Sequence, residues 1–391
     1  MKILISGSGI AGLTLANCLL SYGYQPVVIE KASSFRSIGS VISLRGDALF
    51  VLSKLGLLEH VKKCGVVIET RRFVHADGSE LRNIDFRKFH IQQGGSIGIH
   101  RFSLHQILYE AIKNQIDIRF NTTIQSFTQN EESVQVCFQD GKEKSFDFVF
   151  GADGIHSQIR KLIMGNQFEE QLDVGFSVFT IPKPALLIRN LDTNQTLESL
   201  MPGYYVQCGM DEEYVWGMFI YKQKHREQLK NVNNKEFLLS LCKDITWGIK
   251  EIIEQIDNPS NIFQDTMTLV KLSKWSQGRI VLVGDAAHAM TFMSGTGGGK
   301  SMLGAYHLVE ELMNCSTHNE AFQNYESYLK QAVQKTQKKS IKAAHFSSSD
   351  NRVMVYFKKA LLKYFPTFLM NAVLKNLFIV KPQNTSKPKI P

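Results

Sequence analysis

Several things are missing from this sequence, and each absence closes off a class of protein. Six cysteines, at 18, 64, 137, 208, 242 and 315, are scattered with no C-x-x-C spacing. This argues against a zinc site or a disulfide framework and fits a reducing cytoplasm. Ile3 to Ile29 carries no charge, yet glycines, Asn17, Gln25 and Pro26 interrupt it and one lysine precedes it. That stretch is therefore neither a signal peptide nor a membrane span. No internal repeat or low-complexity segment is present. Ser157 lies beside His156, but no G-x-S-x-G elbow surrounds it, which excludes a hydrolase of that type. His288 has no His, Asp or Glu partner at metal-binding spacing, and no metal is expected.

A widespread basic surface is also lacking. The formal net charge is +9, but residues 331–391 hold twelve Lys/Arg against the single acid Asp350, and the rest of the chain nets −2. The basicity belongs to the tail, so a nucleic-acid partner for the whole chain is not supported.

What is present begins at the N-terminus. Lys2-Ile3-Leu4-Ile5 reads as a buried strand, Ser6 to Gly12 as a glycine turn, and Leu13 to Leu20 as a helix. Gly7, Gly9 and Gly12 form G-x-G-x-x-G. The first allows a tight turn, the second lets a pyrophosphate reach the backbone, and the third lets helix and strand pack closely. A second strand, Gln25 to Ile29, ends in Glu30, 18 positions after Gly12. That is close to the ~20 at which an acid meets ribose hydroxyls. The pattern points to a dinucleotide with a free ribose diol, FAD or NAD.

At 391 residues the chain exceeds a single core, which predicts two packed domains. Asp77-Gly78 between two strand-like runs predicts a hairpin and a first excursion into a second domain. Strand-like segments 176–181, 186–189, 204–210 and 214–221 predict that domain's main sheet, closed by helices over 235–256. The expected class is α/β, mixed with α+β: a Rossmann-like nucleotide domain (1–66, 96–170, 270–335), an interleaved antiparallel-sheet substrate domain (67–95, 171–269) and a C-terminal helical extension (336–391).

Two further motifs follow the fingerprint in order. One is Asp147-Phe148-Val149-Phe150-Gly151-Ala152-Asp153-Gly154 with Ser157 and Arg160. The other is Gly284-Asp285-Ala286-Ala287-His288 with Gly295 and Gly297. Over roughly residues 1–335 the chain resembles the class A flavoprotein monooxygenases, the aromatic hydroxylase family typified by para-hydroxybenzoate hydroxylase. The resemblance implies FAD as resident cofactor, and NADPH as transient reductant because no second glycine fingerprint exists. It implies a flavin hydroperoxide that delivers oxygen, from molecular oxygen, to a planar aromatic or polycyclic substrate, with no dedicated catalytic side chain. It implies a cytoplasmic enzyme, expected to be a monomer.

By the same resemblance the cofactor meets Gly7, Gly9, Ile10, Ala11, Gly12, Glu30, Lys31, Arg45, Arg101, the backbone near Ile124, Asp153, Asp285, Gly295, Thr296, Gly297 and Gly298. Asp153 and Arg160 would brace the groove shared by FAD and NADPH. Where the family usually has a proline and then Gly-Gln-Gly, this chain has Phe292 and Gly295-Thr296-Gly297. The loop beside the flavin ring is altered there. Its three glycines, Gly297 to Gly299, independently allow close approach of a planar ligand and open a helix whose dipole favours negative charge. Gly298-Gly299-Lys300-Ser301 is not a P-loop, because Ser294 stands where the first glycine belongs.

Candidate substrate contacts are Phe179, Tyr204, Met218, Phe219, Phe292, Met293 and Gly295. Ser43 to Gly46, Gly304 to Leu308 and the appended tail are similar to tetracycline-inactivating flavoenzymes, the tetracycline destructases, which implies an antibiotic-resistance role. A catabolic, biosynthetic or quinone-type hydroxylase and a non-catalytic flavin and ligand binder are the alternatives. The tail predicts a helix from Asn351 to about Val380, with an apolar stripe (Val353, Val355, Tyr356, Leu361, Leu362, Phe365, Leu369, Val373, Leu374) and a break at Pro366. Three readings of it stay open: a packed helix with a solvated basic face, which leads; a membrane-surface helix, which is not favoured; and a gate between the domains.

Overall fold

The computed structural model describes residues 1–35, 40–87, 90, 95–183 and 191–366. The N-terminal strand Ile3–Ser6 lies inside a six-stranded sheet. It pairs in parallel with Val27–Ile29 on one side and Phe148–Gly151 on the other. Outside these lie Asp117–Arg119 and Ile280–Leu282, also parallel, and the short antiparallel edge Ser276–Gln277. The four inner strands are near-continuous apolar runs, as suits a sheet covered on both faces, while the two edge strands are polar.

The register of this sheet positions the site. Ser6 pairs with Ile29 and Gly151, and Gly151 pairs with Leu282. These four of the five parallel strands therefore finish level with one another. The residues that follow them, Gly7, Glu30, Ala152-Asp153 and Val283-Gly284-Asp285, emerge along one edge. Three motifs separated by more than a hundred residues in sequence become neighbours through parallel pairing alone. Ligands of open α/β sheets bind outside this carboxyl edge.

A seven-stranded sheet runs in the order Phe263–Val270, Glu169–Pro182, Tyr214–Lys222, Tyr204–Met210, Gln195–Met201, Thr70–Val74, Glu80–Asp85. Gly78, at φ +85°, makes the turn between the last two, as Asp77-Gly78 predicts. All its pairings are antiparallel except that of Gln195–Met201 with Thr70–Val74, which is parallel. Hairpins force antiparallel neighbours, but these two strands are joined by a long passage through the other sheet and are free of that constraint. The candidate strand at 186–189 lies outside the described residues.

Helices Asn234–Leu241 and Ile249–Glu254 cover one face of this sheet, with Phe179, Tyr204, Val206, Phe219 and Tyr221 buried against them. The other face carries Phe176, Val178, Leu200, Tyr205, Met218 and Ile220, packed against Phe292, Met293, Ile341 and Leu362. A two-stranded antiparallel sheet, Val41–Arg45 with Ser96–His100, and a three-stranded antiparallel sheet over 124–146 complete the strands. The long helix His318–Ser347 ties the layers together: the Gln337 amide donates to the carbonyls of Val270 and Ala289, both at 2.9 Å. Of the expected C-terminal helix, the described part is Arg352–Tyr364, and the remainder to Val380 lies outside the described residues.

Candidate active site

The fingerprint turn follows from three glycines under different constraints. Gly7 sits at φ +103°, and a Cβ on Gly12 would lie 1.9 Å from the Gly7 oxygen, so neither position tolerates a side chain. A Cβ on Gly9 would meet no protein atom within 4 Å. Gly9 is also the N-cap of helix Ile10–Ser21, and no side chain caps that end. By contrast, Ser157, Asn233, Thr317 and Asn351 each place a side-chain oxygen on the first turn of their helices. The fingerprint helix keeps its N–H groups and its dipole for something else.

Glu30 closes the other side of the turn. Its carboxylate accepts from the Ser8 N–H (3.0 Å), the Ser8 hydroxyl (2.9 Å) and the Ala32 N–H (2.9 Å). Burial pushes its pKa up, but these donors and the Lys31 charge outweigh it and hold the group below the usual carboxylate value. Glu30 is thus fixed and ionised, with lone pairs left over for hydroxyl donors. Lys31 itself is exposed in the bend that follows.

At the Gly-Asp turn, Gly284 has φ +64°, and a Cβ there would approach Ala11 Cβ at 2.7 Å. The first and third motifs therefore touch at Ala11 and Gly284. Asp285 is half-buried; its pKa is raised by desolvation, opposed only by the Arg101 charge. Arg101 stands exposed at the start of helix Arg101–Glu110. No hydrogen bond or ion pair engages the Asp285 side chain among the described residues.

The glycine loop beyond it opens helix Gly297–Asn314 at Thr296, again with no side-chain cap. Gly295 is left-handed at φ +57°, and its carbonyl accepts from Arg45 Nη2 at 3.2 Å. The Thr296 hydroxyl and Arg45 Nε are buried with no partner, a Cβ on Gly297 would meet nothing within 4 Å, and one on Gly298 only Ile42 at 3.9 Å. Burial, and then the charge of Arg71, lower the Arg45 pKa to about 10, still well above neutrality. Buried polar atoms without partners cost ~1–3 kcal/mol each. Two uncapped helix ends, a carboxylate without a protein donor and orphaned donors on one sheet edge suit a long ligand with phosphates, hydroxyls and a flat ring.

Other expected contacts serve the scaffold. Asp153 takes the Ser157 hydroxyl and the N–H groups of Gln158 (2.7 Å) and Ile159 (3.1 Å), so both its oxygens cap helix Gln158–Met164. Burial raises its pKa against those bonds. Arg160, 1% exposed, donates to the carbonyls of Ala286 (3.0 Å) and Ile155 (2.6 Å) and pairs with Glu169. It staples the second motif to the third and to the seven-stranded sheet. The Ile124 carbonyl accepts from the Gln158 amide at 3.1 Å.

The aromatic candidates divide by strand parity. Met218 and Phe219 are consecutive on one strand and cannot share a face. Met218 lies on the face that meets Phe292 and Met293; Phe292 stacks on Phe176 at 5.4 Å and 11°. Phe179, Tyr204 and Phe219 point the other way, into the core under the helices, which corrects their assignment as substrate contacts.

Sequence reasoning missed two charged features. Lys300, 1% exposed, pairs with Asp47 at 2.7 Å and pins the glycine-loop helix to helix Asp47–Lys54. Its position in a false P-loop hid this role. Glu198, equally buried, accepts from Thr196 (2.9 Å), Tyr205 (2.7 Å) and Gln207 (2.8 Å), with Arg71 at 3.7 Å. It forms a polar band on the Met218 face. Alternating polar residues Thr196 and Glu198 inside a central strand were the available signal.

A family model described as an FAD binding domain matches residues 1–340. The chain belongs to that family. A flavin-dependent monooxygenase of Legionella longbeachae is 32% identical over 345 residues, covering 86% of this chain and 87% of the relative. A second flavin-dependent monooxygenase, from an unknown prokaryote, is 30% identical over 343 residues, with 86% and 87% coverage. The crystal structure of tetracycline destructase Tet(55) matches at 25% identity and a TM-score of 0.77, over 97% of both chains. Klebsiella pneumoniae HpxO, complexed with FAD and uric acid, shares the fold at 17% identity and a TM-score of 0.83, over 97% and 96%. This family member is an FAD-dependent monooxygenase of the class A type. The expectation drawn from three ordered motifs holds at that level.

Proposed function

We propose that this monooxygenase oxygenates a planar polycyclic substrate of the tetracycline type, with NADPH as reductant and molecular oxygen as co-substrate. The observation that carries the reading is one sheet face. Met218, Phe176 and Val178 supply apolar surface, Gln207, fixed by its bond to Glu198, gives that surface a polar edge, and Phe292 and Met293 of the glycine loop pack on the same face. A flat molecule with a polar edge fits such a floor. The similarity to Tet(55) supports the class of substrate.

Bound FAD supplies the redox chemistry. The chain's own residues then have three tasks. Gly9, Gly12 and the free N–H groups of helix Ile10–Ser21 would hold the diphosphate, with Glu30 on the adenosine ribose. Asp285 and Thr296 would take cofactor hydroxyls, and the uncapped helix Gly297–Asn314 would favour negative charge on the ring. Arg45, held by the Gly295 carbonyl, would border the ring and substrate, while the apolar face excludes water. Residues 67–95 and 171–269 would act as the substrate-binding unit.

The test is NADPH consumption by purified holoenzyme, with and without tetracyclines, beside simple aromatic acids. Tetracycline-stimulated oxidation with a product one oxygen atom heavier is the expected result. Stimulation by small aromatic acids alone would replace this reading with a catabolic hydroxylase.

A further inference from the structure

Helix Arg352–Tyr364 is inside out. Among the described residues twelve large apolar side chains are exposed, and seven of them lie between Phe346 and Tyr364. Val353, Tyr356 and Tyr364 are 78%, 77% and 76% exposed, and Phe357 and Leu361 fall on the same stripe, at i, i+3/i+4, i+8 and i+11. The buried stripe holds Val355, Leu362 and a lysine. Lys358 is 4% exposed, donates to the Phe346 carbonyl and lies over the Phe346 ring. A packed helix with a solvated basic face would have the opposite arrangement.

The helix is also firmly held. Asn351 caps its first turn through Met354 N–H (3.0 Å), and Arg82 Nη1 donates to the carbonyls of Lys363 (3.3 Å) and Phe365 (3.2 Å) at its end. The outward apolar face is therefore presented by a fixed element.

We infer that this face docks on an anionic lipid surface. The charge around it supports that occupant. Arg352, Lys359 and Lys363 flank the stripe, and Asp350, the single acid of residues 331–391, is already paired with Lys224 (2.6 Å) and His225 (2.9 Å). Asp77, the other acid near Lys359, is bound up with Ser79. The sequence beyond continues the same chemistry: residues 367–380 are mostly apolar with one charge, Lys375, and Lys381, Lys387 and Lys389 follow without an acid. Aromatic and aliphatic side chains ringed by lysines are the composition of helices that lie in a bilayer interface. A second copy is the poorer partner, because a two-fold contact would set two such basic patches against each other. No helix among the described residues is long and apolar enough to cross a membrane, so docking would be on one leaflet.

The opposite side of the same helix reaches the substrate face, where Leu362 packs with the cluster holding Phe292 and Met293. An apolar substrate dissolved in the lipid would meet the enzyme at its entrance. This use of the surface rests on the proposed function; the docking itself does not.

The experiment is co-sedimentation of full-length holoenzyme with phosphatidylcholine vesicles, with or without about 30 mol% phosphatidylglycerol, at roughly 0.1 M and roughly 0.5 M salt. Binding to the anionic vesicles at low salt is expected, about tenfold weaker at high salt or on phosphatidylcholine alone. The triple variant Tyr356→Ser, Phe357→Ser, Tyr364→Ser should lose about tenfold in binding with flavin content unchanged. No binding by the full chain, or equal binding by the triple variant, overturns the proposal. One further result also overturns it: a dimer that the triple variant dissolves. None of these readouts involves a substrate, so a wrong substrate leaves them intact.

Discussion

Glu198 and Asp285 are two carboxylates in contrasting settings, one buried on the seven-stranded sheet and one half-buried at the carboxyl edge of the six-stranded sheet. Glu198 is surrounded by protein donors: a threonine, a tyrosine and a glutamine within hydrogen-bond distance and an arginine just beyond. Asp285 has no donor among the described residues, and the nearest opposing influence is the Arg101 charge. Burial of a charge is tolerated when it is paired and is costly otherwise. The first carboxylate is completed by the fold and belongs to its architecture. The second is left incomplete, which is the condition of a group whose partners arrive with a ligand.

The strongest way to break this contrast is Glu198→Ala. It removes the acceptor for Thr196, Tyr205 and Gln207 and leaves those buried donors around a cavity. A stability loss of about 3–5 kcal/mol is expected, since each buried donor left unpaired costs ~1–3 kcal/mol. Denaturant unfolding of the FAD-free protein measures it. A loss below roughly 1 kcal/mol would mean that the band is solvated and interchangeable.

Asp285→Ala should do the reverse. FAD-free stability should hold or rise, since an unpaired, partly desolvated charge is removed, while FAD affinity falls about ten- to a hundredfold, the ~1.5–3 kcal/mol of a charge-assisted hydrogen bond. Flavin fluorescence during titration of the stripped protein gives both numbers on one sample. Unchanged affinity would take Asp285 out of the cofactor site.

Acid titration sharpens the same comparison with Glu30. The Glu30 pKa is lowered in the fold, so its contribution to stability is present above the unfolded value near 4.5 and is lost as pH falls through the folded value. The Asp285 pKa is raised, so its penalty is absent at low pH and grows as pH rises from the unfolded value of 3.8 through the folded one. Glu30→Gln should therefore flatten the acid arm of FAD-free stability, whereas Asp285→Asn should lift stability on the neutral side. Parallel curves for the two variants would contradict the assignment.

What could be read from sequence follows the same division. The fingerprint, Glu30 and the Gly-Asp turn were legible because backbone geometry demands those residues: positive φ at Gly7 and Gly284, and a Gly12 that excludes any side chain. The hairpin at Asp77-Gly78 was legible for the same reason. Three things were not. The parallel pairing of Gln195–Met201 with Thr70–Val74 depends on a long crossing that no local pattern records. The division of Met218 from Phe179, Tyr204 and Phe219 between the two faces of the sheet was not foreseen, because all four were chosen by size while strand parity sets direction. The Lys300–Asp47 pair joins residues 253 apart and leaves only an unexplained lysine in a glycine loop.

Asp147 supplies the smallest effect and the control for the others. Like Asp285, it is an aspartate of a sequence motif beside a strand of the parallel sheet, and its place before the strand suggests local pairing rather than a ligand. In the structure its Oδ2 accepts from the Lys2 N–H at 2.6 Å in an exposed position, and its own N–H donates to the Lys2 carbonyl. It therefore ties the start of the second motif's strand to the start of the first strand, at the end of the sheet away from Gly7 and Gly284. Water competes for that carboxylate, so Asp147→Ala should cost at most about 1 kcal/mol. Flavin content per purified chain should equal that of the parent protein, while Asp285→Ala emerges depleted. If both variants retain flavin equally, motif membership says nothing about ligand contact here. If Asp147→Ala is the depleted one, the cofactor lies at the opposite end of the sheet and the carboxyl-edge reading fails with it.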